Sequence, residues 1–169
     1  YRDDPCSAVV TLKASGSLDG PGISCRVDTG RALVEAGLHP ATGGTGLQAC
    51  SGDMLLEALA ACAGVTLRAV ATALEIPVRS GTVQVEGDLD FRGTLGMSKE
   101  AAVGFQAIRL HFDLDTDASP GQLDGLFKLT ERYCVVLQTL RSSPPLGVTY
   151  SRLTDASKRV EKLAADERR

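Results

Sequence analysis

The sequence contains no tryptophan, only three tyrosines and four phenylalanines, and no long run of charge of one sign. So few rings leave little for stacking on bases. With a net charge of −3 and its lysines and arginines scattered, the chain has no electrostatic footprint for nucleic acid. Metal-site spacing is missing as well, because none of the five cysteines (Cys6, Cys25, Cys50, Cys62, Cys134) has a CxxC or CxxxxH neighbour. His39 and His111 fall in elements of different kinds and make no metal pair. The glycines at 43, 44 and 46 lack the GK[ST] ending of a phosphate loop and read as turn geometry. An odd number of cysteines at this density is no secreted disulfide scaffold. The opening residues carry no signal-peptide pattern. The expected compartment is reducing, the cytoplasm, with most thiols free and no cofactor bound.

What the chain has in quantity is apolar helix. MLLEALAACAGVTLRAVATALEI over residues 54–76 is almost wholly apolar, yet Glu57, Arg68, Thr72 and Glu75 interrupt it as a membrane span would rarely tolerate. At about 100° per residue these polar positions, with Asp53 and Gly64, fall in one narrow stripe. The helix is therefore expected to be covered on most sides, in the middle of a subunit or at a subunit interface, with Cys62 facing protein. Asp53 is placed to cap it and Pro77 to end it.

Around this helix the sequence predicts strands over 6–15 and 23–29, a turn between them, and a third extended stretch over 31–37, together a meander. A glycine-rich loop covers 38–53. Strict alternation over 82–92 and 105–115 predicts two long strands with one wet face, joined by a loop over 93–104. Ser119, Pro120 and Gln122 make a helix start, and the helix they open runs over 121–141 with a bend near Cys134. A short strand over 147–153 and a C-terminal helix over 154–169 complete the chain. The order is βββ-α-ββ-α-β-α, an α+β fold. The 169 residues, 43% of them hydrophobic, suffice for one cored domain, over 1–153, with 154–169 as a helical extension.

A cysteine alone in an apolar helix is most simply a small core residue. Two such residues, Cys62 and Cys134, make a different case if the fold brings their helices together. A thiolate can attack a peroxide, and a second thiol can resolve the sulfenic acid that forms. Burial raises a thiol's pKa, so the attacking sulfur needs help. Arg26 is the candidate cation, with Arg31 as the alternative, and Asp53 or Glu57 is the carboxylate that would orient it. Asp53 lies nine residues from Cys62, about half a turn around the helix, so the arginine would have to bridge them. Cys6, Cys25 and Cys50 read as structural.

These stretches in this order resemble the OsmC/Ohr family, the osmotically inducible protein C and organic hydroperoxide resistance proteins. GGTGLQACSGDMLLEALAACAGVTL over 43–67 is similar to the family's glycine-rich loop, carboxylate, apolar helix and first cysteine. ERYCVVLQTL over 131–140 is similar to its second-cysteine motif, 72 residues on. The resemblance covers about residues 5–152. It implies antiparallel sheets wrapped around two central helices in an intertwined homodimer, with an active site at each side of the interface. It also implies thiol-dependent reduction of organic hydroperoxides: Cys62 attacks, Cys134 resolves, and Arg26 and Asp53 stand where the family has its arginine and glutamate. A dithiol, small molecule or protein, would return the electrons. The chain departs from the pattern in having Val135 where the family often has proline, Asp53 for glutamate, and an added C-terminal segment. A divergent OsmC-like branch fits these departures. Two other readings of the same residues are a cleft that binds an apolar ligand without turnover, and a redox sensor.

Overall fold

The computed structural model of the protein describes residues 15–17, 24–28 and 33–152. The expected strand over 6–15 lies outside the described residues except for Ser15. So do Cys6, Arg31 and the expected helix over 154–169. Three antiparallel strands, β1 (Ser15–Ser17), β2 (Ser24–Asp28) and β3 (Leu33–Gly37), form the expected meander. The two-residue β4 (Ala49–Cys50) adds to it in parallel beside β3. The loop before β4 is not wholly irregular, because His39 caps a 3₁₀ turn at Pro40–Thr42 through its Nδ1.

Helix α1 spans Ser51–Ala73 and so begins earlier than expected. Cys50 takes the cap position and makes no side-chain cap bond, while Asp53 lies within the first turn. The expectation that Asp53 caps the helix is thus corrected. Its carboxylate still meets the positive end of the helix dipole. The helix stops before Pro77 can act. Glu75 adopts a left-handed φ of 55°, Ile76 N–H bonds to Ala71 C=O at 2.9 Å, and Glu75 N–H bonds to Thr72 C=O at 3.2 Å. This is a Schellman turn with glutamate in the place glycine usually takes.

Two long strands follow, β5 (Ser80–Asp88) and β6 (Ala107–Asp115), paired antiparallel with Glu86 opposite Arg109 and Val85 opposite Leu110. The alternation is as the sequence implied. On the wet face Arg109 bonds Glu86 and Asp88, and Arg79 at the strand start bonds Asp115 and Asp117. The strand expected over 82–92 ends at Asp88, and a single helical turn, α2 (Phe91–Thr94), capped by Asp90, takes its last residues and the start of the expected loop.

The predicted helix over 121–141 is broken at Cys134 into α3 (Pro120–Tyr133) and α4 (Val135–Ser142). Ser119 opens α3 with a complete capping box: Gln122 N–H donates to its hydroxyl, and its own N–H donates to Gln122 Oε1 at 2.9 Å. Helix α1 packs on α3 and β5. Its buried residues Leu59, Ala63, Leu67 and Ala71 recur every fourth position, a single stripe. Leu67, Ala71, Ile76 and Leu126 form the core, with Phe112 and Phe127 packed against it at 5.5 Å between ring centres.

Two expectations change. The opposite side of α1 is uncovered among the described residues: Val65 is 72% exposed, and Ala58, Ala61 and Ala69 are exposed too. The helix meets α3 and β5 from one side only, which leaves the other apolar side open. The strand expected over 147–153 does not form over residues 147–152, where no strand among the described residues accepts its backbone bonds, and Leu146, Val148 and Tyr150 are almost wholly exposed. The chain divides into two compact units, Tyr1–Gln138 and Thr139–Arg169. The boundary expected at 153 falls within the second.

The left-handed conformation at Glu75 costs a non-glycine residue roughly 1 kcal/mol. Glu75→Gly is therefore expected to raise stability by up to about that amount in chemical denaturation, whereas Leu126→Ala should lower it by roughly 2–5 kcal/mol.

Candidate functional site

Leu126, Thr130 and Cys134 recur at every fourth position and form the buried edge of α3. Leu59 of α1 is buried likewise, and Cys62 follows it by three residues on the adjoining face. Packing of these two edges brings the thiols together: Cys134 Sγ donates to Cys62 Sγ at 3.4 Å. Both cysteines are free. A disulfide bond is about 2.05 Å long, so closure requires the sulfurs to approach by a little over 1 Å.

The pair is asymmetric. Cys134 has no exposed surface, whereas Cys62 is partly open to solvent. Burial pushes the Cys134 thiol up, and the neighbouring Cys62 sulfur pushes it further. Burial also pushes Cys62 up, but donors around its sulfur outweigh that. The backbone N–H of Val136, the Cys134 thiol, the Thr66 hydroxyl and the backbone N–H of Val135 together lower it below the ordinary thiol range. Cys62 is therefore the sulfur that ionises, and Cys134 the one that keeps its proton.

Backbone geometry explains how residues 135 and 136 reach Cys62. Cys134 ends α3 in an extended conformation (φ −71°, ψ 106°), and its carbonyl accepts the first bond of α4, from Gln138 N–H at 2.9 Å. The first N–H groups of α4 consequently have no partner within the helix. The sequence singled out both thiols, which the structure brings together, but neither these donors nor Thr66. A legible signal existed for Thr66, which stands four residues after Cys62 on the same helix face.

The other site residues are placed as follows. Arg26 lies on β2, paired in register with Ser17 and Glu35. Asp53 does not join the thiols, being nine residues, or about 13 Å of helix, away on the opposite side of α1. It instead lines a cleft of about 350 Å³ with His39, Cys50, Leu56, Phe91 and Phe105. Over that cleft the His39 and Phe91 rings stack at 5.0 Å. Neither Cys62 nor Cys134 lines it. Glu57 is exposed on α1. Among the described residues, no group of three histidine, cysteine, aspartate or glutamate side chains could hold a metal ion.

The family described as OsmC-like protein matches residues 44–149. No curated protein matches the sequence. Among solved structures, an OsmC-like protein from Mycoplasma pneumoniae superposes with a TM-score of 0.66 at 17% identity, over 79% of this chain and 89% of that one. An organic hydroperoxide resistance protein from Elizabethkingia anophelis gives 0.62 at 17%, over 79% and 90%. An organic hydroperoxide resistance protein OsmC from Legionella pneumophila, also described as a predicted redox protein, gives 0.61 at 18%, over 79% and 91%. At these identities the likeness is one of fold.

The opposed shifts predict a pH signature. In the native protein, iodoacetamide should label Cys62 with a midpoint below that of an ordinary thiol, because its thiolate persists to lower pH. Cys134 should stay unlabelled until the chain is denatured. Peptide mapping of the alkylated residues across pH 5–10 reads both outcomes.

Proposed function

The chain belongs to the OsmC-like protein family, and from that premise we propose that it is a cysteine-based peroxidase that reduces organic hydroperoxides, and hydrogen peroxide as the smallest substrate of the class. The observation that carries this reading is the 3.4 Å thiol pair, with one sulfur partly exposed and the more readily ionised, and the other enclosed and held protonated to higher pH. In the first step the Cys62 thiolate attacks the terminal oxygen of ROOH. The S–O bond forms as the O–O bond breaks, Cys62 becomes a sulfenic acid, and RO⁻ leaves and takes a proton to give ROH. In the second step the Cys134 sulfur displaces hydroxide from the sulfenic acid, its own proton completing a water, and the disulfide forms. A dithiol then reduces the disulfide by exchange and is itself oxidised, so that ROOH and the dithiol become ROH, water and the oxidised dithiol.

Arg26 is assigned to the peroxide's developing charge and Asp53 to orienting that arginine, with Arg31 and Glu57 as the alternatives. Since Asp53 sits across α1 from Cys62, the guanidinium has to span the two. The uncovered side of α1, with Val65 in solvent, supports a homodimer in which a second copy covers it. The expected setting is the cytoplasm, where dithiol reductants are available.

Cys62→Ser should abolish consumption of tert-butyl hydroperoxide. Cys134→Ser should allow a single turnover, followed by overoxidation of Cys62 to sulfinic acid. Non-reducing peptide mapping after one equivalent of peroxide should recover the Cys62–Cys134 bridge from the wild type. A Cys62→Ser protein that turns over at the wild-type rate would end the reading. For the assembly, sedimentation should show a dimer for the wild type and a shift toward monomer for Val65→Arg.

A further inference from the structure

Cys62 lies midway along α1, where its own helix dipole offers nothing, and yet it is the sulfur that ionises. Among the residues whose side chains the structure describes, no arginine, lysine or histidine forms an ion pair or hydrogen bond with it. What the structure puts beside it is the beginning of another helix. Its sulfur rests 3.4 Å from that of Cys134, the residue from whose carbonyl α4 starts. The N–H groups of Val135 and Val136, the first two residues of α4, therefore open toward the thiol pair with no intrahelical acceptor. From the other side comes the hydroxyl of Thr66, one turn along α1 from Cys62.

We propose that these three donors, the backbone N–H groups of Val135 and Val136 and the hydroxyl of Thr66, form the anion hole that holds the Cys62 sulfur as thiolate, and that valine at 135 is what completes it. A proline at that position would carry no N–H. It would leave the hole one donor short. The Val135 side chain itself is 70% exposed, so its contribution lies in the backbone. With the anion held by neutral donors, an arginine is released from the task of ionising Cys62 and is left to bind the peroxide. The inference deepens the reading of Cys62 as the attacking thiol and rests on it, but it concerns ionisation and can be read without any peroxide.

The site allows a clean deletion. Cys134 already has the extended backbone that a following proline demands, and the first position of a helix is where proline fits best. Val135→Pro therefore removes one donor at a position where the backbone accepts proline and the side chain it replaces is largely in solvent. The test measures the iodoacetamide labelling midpoint of Cys62 in the native protein, with circular dichroism confirming the fold. A hydrogen bond to a charged group is worth enough to move a midpoint by about one unit, or about tenfold in thiolate fraction below it. Val135→Pro and Thr66→Val are each expected to raise the Cys62 midpoint by about that much. Val135→Ala, which keeps the N–H, and Thr66→Ser, which keeps the hydroxyl, should stay at the wild-type value. If Val135→Pro does not fold, the Thr66 pair decides alone. A wild-type midpoint in folded Val135→Pro, or equal midpoints for Thr66→Val and Thr66→Ser, overturns the proposal. Should the midpoints move as expected while no variant consumes hydroperoxide, the anion hole stands and the peroxidase reading fails.

Discussion

Everything specific to this protein depends on the packing of α1 against α3, with Leu126 set among Leu67 and Ala71 and Cys134 against Cys62. Two helices meeting along small and branched residues can come close enough for sulfur to touch sulfur, and the enclosure that follows separates the two thiols electrically. Leu59, Leu126 and Cys134 have no exposed surface. Mismatch here would be felt directly at the sulfurs, because close-packed interiors do not absorb a change in volume.

The break at Cys134 belongs to the same design. An unbroken helix over 121–141 would have spent the N–H groups of residues 135 and 136 on carbonyls one turn earlier. In the observed chain Thr130 turns its hydroxyl back onto the Leu126 carbonyl at 2.8 Å, a bond that loosens helices. One turn later the backbone leaves the helix for a single residue. That single extended residue makes a structural helix into a source of donors at the point where the second thiol stands.

How much of this could be read beforehand follows from the range of each interaction. Local signals were legible. The capping box at Ser119 and Gln122, the alternation in β5 and β6, and the bend near Cys134 are all written within a few residues. The pairing of Cys62 with Cys134 came from their order and spacing, through the resemblance, since contact across 72 residues has no local signature. The start of α1 was misplaced because Asp53 is a good capping residue, yet the chain pairs Cys50 with β3 and starts the helix right behind it. The stop at Glu75 was attributed to Pro77 because glutamate is an unusual choice for a left-handed position. The strand over 147–153 has no neighbour to bond with among the described residues. The Cys62 donors were missed for a different reason: two of the three are main-chain atoms, which a reading of side chains passes over.

The unequal enclosure of the two sulfurs also gives the proposed bridge a direction. Once joined, only the outer sulfur, that of Cys62, can be approached along the line of the S–S bond, so an incoming thiol becomes linked to Cys62 and expels Cys134. The inner sulfur is a reluctant leaving group, because its apolar surroundings resist negative charge. If the proposed bridge forms in turnover, a slim, strongly nucleophilic electron donor would reach it more readily than a bulky or sluggish one, because of the depth at which one cysteine is set.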